Sequence, residues 1–202
     1  MNIAIVGASR GVGRALCTLA SAQGHAVTAI ARHASALPLE VVKVDVDASR
    51  PGSLELRGHD AVVCAVGGAG LSDRSSRTAV TQVIVAAMRA QGLKRLVLIS
   101  SLGAGDSYAR CSLPTKAITR TLLRHAMVDH NGQEALLGSD LDWTVLRPGG
   151  LTDGRTGHRV VDSPTEKLGG GGRVGRDDVA EVALRALVDG LWVRQAVAVL
   201  AR

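Results

Sequence analysis

Short runs of consecutive apolar residues alternate along the chain with stretches in which apolar residues recur every three or four positions. Asn2 to Val6 is the first run, closed by a glycine-containing turn. Val12, Ala15, Leu16, Leu19 and Ala20 follow at i, i+3, i+4, i+7 and i+8, which is one face of a helix that Gly24 ends. The same reading places strands at Ala26 to Ala31, Glu40 to Val44, Ala61 to Val66, Leu93 to Ile99 and Trp143 to Leu146, with a last one at Ala196 to Leu200. Helical spacing returns at Val80, Val83, Ile84, Ala87 and Met88, which stops at Gly92, at Ile118 to Met127, and at Val179, Val182, Ala183, Ala186 and Leu187. Strands that are continuously apolar and alternate with amphipathic helices predict an α/β fold, a single doubly wound parallel sheet covered on both faces. The ligand crevice of such a sheet lies outside the carboxyl ends of the strands, where strand order reverses. Chemistry is therefore expected just after Val6, Ala31, Val44, Val66, Ile99 and Leu146.

Two stretches break the pattern. Residues 67–77 are rich in Gly, Ser and Arg, and residues 152–175 contain Pro164 and the run Gly169 to Gly172. Both read as surface loops at the carboxyl edge, either a substrate lid or plain connections. With 202 residues, the chain fits one domain over 1–202.

Composition narrows the class. The core must be aliphatic, because the chain has no Phe, one Tyr and two Trp. Cys17, Cys64 and Cys111 are odd in number and widely spaced, so neither a disulfide framework nor a metal site is expected, and the compartment reads as reducing. Met1 runs straight into the first strand without a basic leader, and no apolar run approaches the roughly 18 to 20 residues that span a bilayer. A soluble cytoplasmic protein without a membrane partner is the expectation. The net charge of +6 is carried almost wholly by arginine, spread from Arg10 to Arg202. With so few aromatics to stack bases, this distribution favours a small anionic ligand over nucleic acid.

That ligand has a candidate site. Gly7, Ala8, Ser9, Arg10, Gly11, Val12 and Gly13 form the turn between the first strand and the first helix. Glycines there permit a tight turn and close approach of a diphosphate, while the helix directs free N–H groups and its positive dipole end at the anion. A site for NAD normally offers a carboxylate about 20 residues later, at the end of the second strand. Here no Asp or Glu occurs between Arg14 and Leu39, and Arg32 stands at that strand end. Arg10 and Arg32 together suit a 2′-phosphate, so NADP(H) is expected over NAD(H).

The Gly7 to Ala15 segment is similar to the G-x-x-x-G-x-G turn of the short-chain dehydrogenase/reductase superfamily. His59 to Val63, Ser100-Ser101, Leu141 to Gly150 and Arg176 to Ala180 are similar to the atypical branch, the NmrA-like and biliverdin/flavin-reductase-like NAD(P)-binding proteins. The resemblance covers nearly the whole chain and implies a Rossmann fold. It also implies that Asp45 and Val46 contact adenine, and that Pro148, Gly149 and Gly150 bring backbone near the nicotinamide. Ala65, Val66 and Gly67 at the end of the fourth strand and Ser100 after the fifth are further cofactor contacts by position.

The superfamily's Tyr-x-x-x-Lys pair is missing. Counting back from Glu134, which resembles the glutamate that follows that lysine, puts His130 at the lysine position and Ala126 at the tyrosine position. Asn131-Gly132 is a turn signal within this stretch. Ser101 resembles the superfamily serine, Tyr108 lies on the loop after the fifth strand, and His130 titrates near neutrality and can bind ribose or supply a proton. These three are the catalytic candidates. The alternative for His130 is an exposed residue at a polar helix start that Asp129 caps. Without the phenol, the expected activity is NADPH-dependent hydride delivery to a small conjugated acceptor, which takes its proton from solvent. A non-catalytic NADP(H)-binding sensor, or a non-redox isomerase or cyclase, are the alternatives.

Overall fold

A computed structural model describes residues 1–68, 73, 75–169 and 172–202. Residues 69–72 and 74 of the loop at 67–77, and residues 170 and 171 of the stretch at 152–175, lie outside the described residues. The chain runs β1 (Asn2–Val6), α1 (Gly11–Ala22), β2 (Ala26–Ala31), β3 (Val42–Asp45), β4 (Ala61–Cys64), α2 (Ser76–Gln91) and β5 (Arg95–Ile99). It continues through α3 (Ser107–Arg110), α4 (Leu113–Arg120), α5 (Arg124–Ala135), β6 (Asp142–Pro148), β7 (Leu151–Thr152), β8 (His158–Val161), β9 (Val174–Gly175), α6 (Arg176–Val188) and β10 (Gln195–Ala201).

Eight strands form one sheet in the order β3-β2-β1-β4-β5-β6-β10-β8, parallel except for β8, which runs antiparallel to β10. Successive strand residues face opposite ways and both faces are buried. Ile3, Ile5 and Val63 pack with the inner faces of α1 and α6, whereas Ala4, Val6 and Val62 pack with Val80, Ile84 and Met88 of α2. This two-sided burial explains the apolar runs. Strand order reverses between β1 and β4, so the crevice opens above their carboxyl ends.

Three expectations need correction. The predicted helix over Ile118 to Met127 is two helices, because the chain breaks after Arg120 and Leu123 N–H bonds back to the Ile118 carbonyl at 3.0 Å. Within that stretch Ile118 and Leu122 are 50% and 61% exposed, so neither contributes to the core. Asn131-Gly132 is not a turn but lies within α5. The glycine there lets α5 approach α2, since a Cβ would stand 2.5 Å from Thr78 Oγ1. The stretch 152–175 is not wholly irregular, for it carries β8 and the two-stranded β7-β9 pairing. Strand β3 also differs from its neighbours: it is solvent-exposed along its length, as an outermost strand with no crossover helix on either side in sequence.

Asp129 ties the helices of one layer together. It is fully buried in the middle of α5 and caps α2 rather than its own helix. Its carboxylate accepts from the Arg77 N–H at 3.0 Å and the Thr78 N–H at 2.8 Å, and pairs with Arg77 Nη1 at 3.1 Å. Burial alone would raise this carboxyl, but the backbone N–H groups of Thr78 and Arg77 lead the donors that hold it below the ordinary aspartate range. A carboxylate depressed on folding stabilises above its unfolded value, near pH 4, and that contribution is lost as pH falls through the folded value. Asp129→Ala leaves Arg77 and two helix amides without partners and is expected to cost about 3 kcal/mol. Urea denaturation at neutral pH measures this loss, and the gap between the two proteins should shrink as the buffer is made more acid than about pH 4.

Candidate functional site

The glycine turn is built by sterics. Gly7 has φ +89°, and a Cβ on it would stand 2.7 Å from the Ala65 carbonyl carbon. A Cβ on Gly13 would overlap the Gly7 carbonyl oxygen, so only glycine lets the start of α1 press onto the end of β1. The N–H of Gly7 bonds to the Ile30 carbonyl at 3.0 Å, and that of Ala65 to the Val6 carbonyl at 2.8 Å, which fixes the turn between β2 and β4. The first intrahelical bond of α1 joins Arg14 N–H to the Arg10 carbonyl at 3.3 Å, so the amides of Gly11, Val12 and Gly13 precede the helical ladder. Neither an acidic first turn nor a capping side chain competes for them. The resulting cradle has the space and the donor set a diphosphate needs.

Above it lies a cleft of about 960 Å³. The structure brings most of the expected cofactor residues to its wall: Gly7, Ser9, Arg10, Gly11, Val12, Arg32, Val46, Ala65, Val66, Gly67, Ser100, Pro148, Gly149 and Gly150. Gly13 supports the cradle from beneath. Asp45 is placed differently. Its carboxylate accepts from the Ser35 N–H at 2.8 Å and hydroxyl at 2.6 Å, bonds that hold it below the usual aspartate range, while Val46 and Asp47 face the cleft.

The catalytic candidates do not converge. Ser101 and His130 line the cleft, but Tyr108 on α3 is not among the described residues that do so, and its ring lies 5.8 Å from Lys116 Nζ. His130 is not an exposed residue at a helix start. It sits inside α5 and is 7% exposed, so burial, with the Arg77 cation as a second cause, lowers its imidazole to about 3. It is neutral at working pH and holds no proton to donate as an imidazolium. Gln133 fixes its tautomer. The Gln133 amide nitrogen faces the Ile99 carbonyl at 3.4 Å, an acceptor only, and thereby donates to His130 Nδ1 at 2.9 Å. The ring proton is then on Nε2, making His130 a neutral hydrogen-bond donor at the cleft.

Ser100 is tied into a buried network that sequence spacing did not reveal. Its hydroxyl donates to Glu134 Oε1, and Arg147 grips the same carboxylate through Nε at 3.2 Å and Nη2 at 2.7 Å. Arg147 Nη1 reaches Asp106 at 2.6 Å. With its single proton committed, the Ser100 hydroxyl is left as an acceptor only. Arg77, Asp153 and Arg176 also line the cleft and were not among the candidates. The available signal for Arg77 was its position: a cation in the first turn of a helix is disfavoured by the dipole and calls for a partner, here Asp129. The three cysteines are buried free thiols. No helix of the described residues is long and apolar enough to cross a membrane.

Comparison with known proteins agrees with this architecture. The family model for NAD(P)H-binding proteins matches residues 7–190. A curated relative, an uncharacterized chloroplastic protein of Arabidopsis thaliana, is 31% identical over 157 residues, 74% of this chain and 56% of the relative, so the chain spans little more than half of that relative's length. Among solved structures, an oxidoreductase of Lactococcus lactis superposes with a TM-score of 0.80 at 19% identity, covering 100% of this chain and 91% of the other. A short-chain dehydrogenase/reductase of Veillonella parvula, solved with NADP, gives 0.79 at 17% identity, covering 98% and 93%. An anaerobillin reductase of Escherichia coli gives 0.75 at 24% identity, covering 100% and 97%. These structural likenesses show a shared Rossmann-type fold. With the family match spanning most of its length, the chain belongs to the NAD(P)H-binding family.

Proposed function

We propose that the protein is an NADPH-dependent reductase of a small, conjugated organic acceptor. The observation that carries this reading is the pairing of a diphosphate-sized glycine cradle with a cleft whose candidate proton donors are absent or neutral. In this reading Gly7, Ser9, Gly11, Val12 and Gly13 hold the diphosphate, and Arg10 and Arg32 the 2′-phosphate. Val46 borders the adenine, and Ser100 with Pro148, Gly149 and Gly150 borders the nicotinamide. Bound there, the reduced cofactor supplies a hydride to the acceptor.

The chain's own residues do the rest. Arg10 and Arg32 present two guanidinium groups where a carboxylate would repel a phosphate. Ser100, oriented by Glu134 and Arg147, accepts a hydrogen bond, a role suited to a carboxamide N–H. The Nε2–H of His130 donates to an oxygen without giving up its proton, as a neutral imidazole can. An acceptor whose developing negative charge is delocalised needs no more than this, and its proton comes from solvent. An isolated ketone needs a stronger acid. The anaerobillin reductase among the structural neighbours supports the conjugated class by its name. A second reading, an NADP(H)-binding sensor, is favoured by Tyr108 not being among the described residues that line the cleft.

NADPH absorbance followed with flavins, quinones and linear tetrapyrroles is expected to show turnover, with none on simple ketones. Tight NADPH binding without turnover on any acceptor would favour the sensor. Arg32→Glu is expected to weaken NADPH binding by about tenfold or more and NADH binding far less, because only NADPH carries the phosphate. Equal losses in a fluorescence titration would refute the assignment. Because His130 stays neutral, the pH profile of kcat should lack a limb attributable to it between about pH 5 and pH 9, and His130→Gln, which keeps an N–H donor, should retain more activity than His130→Ala.

A further inference from the structure

Arg176 opens α6, Asp153 follows β7, and Nη1 of the arginine meets Oδ1 of the aspartate at 2.6 Å. The stem of Arg176 runs across the glycine turn: its Nε and Cδ lie 3.6 and 3.7 Å from the point where a Cβ on Gly11 would stand. Arg10, Gly11, Asp153 and Arg176 line both the main cleft and a neighbouring groove of about 560 Å³ beside α1, so the ion pair is the partition between the two spaces. Gly11 contributes one of the amides that precede the ladder of α1. A cation is thus stationed at the rim of the cradle, with its charge turned onto a carboxylate.

That carboxylate is a weak hold. The Asp153 side chain is 96% exposed and that of Arg176 30% exposed, and pairs so open to water contribute little. A guanidinium on a phosphate makes charge-assisted, often bidentate bonds that are about twice as strong as neutral ones. Asp153 itself, an acceptor only, repels an anion in the same place.

Resting on the reading that a dinucleotide crosses Gly7 to Gly13, we propose that Arg176 is a counter-ion to the cofactor's diphosphate, held in reserve by Asp153 and passed from carboxylate to phosphate on binding. The two partners then act in opposition, Arg176 adding affinity and Asp153 competing for the arginine. A purely structural ion pair behaves otherwise, because loss of either partner removes the same contact and moves binding in the same direction.

The test is a titration of NADPH and NADH into the full-length protein, followed by nicotinamide fluorescence, for wild type, Arg176→Ala, Asp153→Asn and the double variant. Arg176→Ala is expected to weaken both cofactors alike by about tenfold, since both carry the diphosphate. Asp153→Asn is expected to tighten both by about two- to fivefold, and this gain should shrink when Arg176 is absent. The proposal is overturned if Asp153→Asn weakens binding or leaves it unchanged, or if its gain persists in full without Arg176. The sign of the Asp153→Asn change decides the matter even if Arg176→Ala does not fold. Wild-type protein that binds neither cofactor would instead remove the dinucleotide reading itself, which keeps the two failures apart.

Discussion

The architecture depends on one steric constraint, the contact between the start of α1 and the end of β1. Gly13 lies so close to the Gly7 carbonyl that no side chain fits between them, and Gly7 in turn lies against the Ala65 backbone of the neighbouring strand end. This close packing brings the helix amides to the strand ends and aims the positive end of α1 into the crevice. Every other part of the candidate site is placed relative to that point. Arg32 comes from the end of β2, Val46 from the end of β3, Ala65 to Gly67 from β4, Ser100 from β5, and Pro148 to Gly150 from β6 and the turn after it.

Much of this was legible in the sequence because buried parallel strands and two-faced helices leave strong periodic marks. β1, α1, β2, α2, β5 and α6 stand within a few residues of their predicted places. The wall of the cleft was legible for the same reason: its residues follow strand ends, and strand ends are where the apolar runs stop. What the periodicity concealed were elements with little apolar face. The short β8 pairs only at the sheet's outer edge, and its sequence resembles a loop. Periodicity also misled over Ile118 to Met127, where one predicted helix spans the end of α4 and the start of α5 and where Ile118 and Leu122 are exposed.

The surroundings of Ser100, Asp129 and His130 were less legible because their properties arise largely from contacts distant in sequence. Nothing near His130 in the chain announces that it is buried beside Arg77, a residue of another helix. Asp129 looks from its neighbours like a local cap, yet it serves a helix whose Arg77 lies 52 residues earlier in the chain. The commitment of Ser100 to Glu134 and Arg147 likewise joins β5, α5 and β6. Charge, burial and hydrogen bonding at these positions are products of the fold, and spacing alone does not encode them.

Asp129 and His130 are consecutive on α5, one gripping α2 and the other bordering the cleft. A ligand that displaces the imidazole therefore strains the adjoining carboxylate's hold on a neighbouring helix.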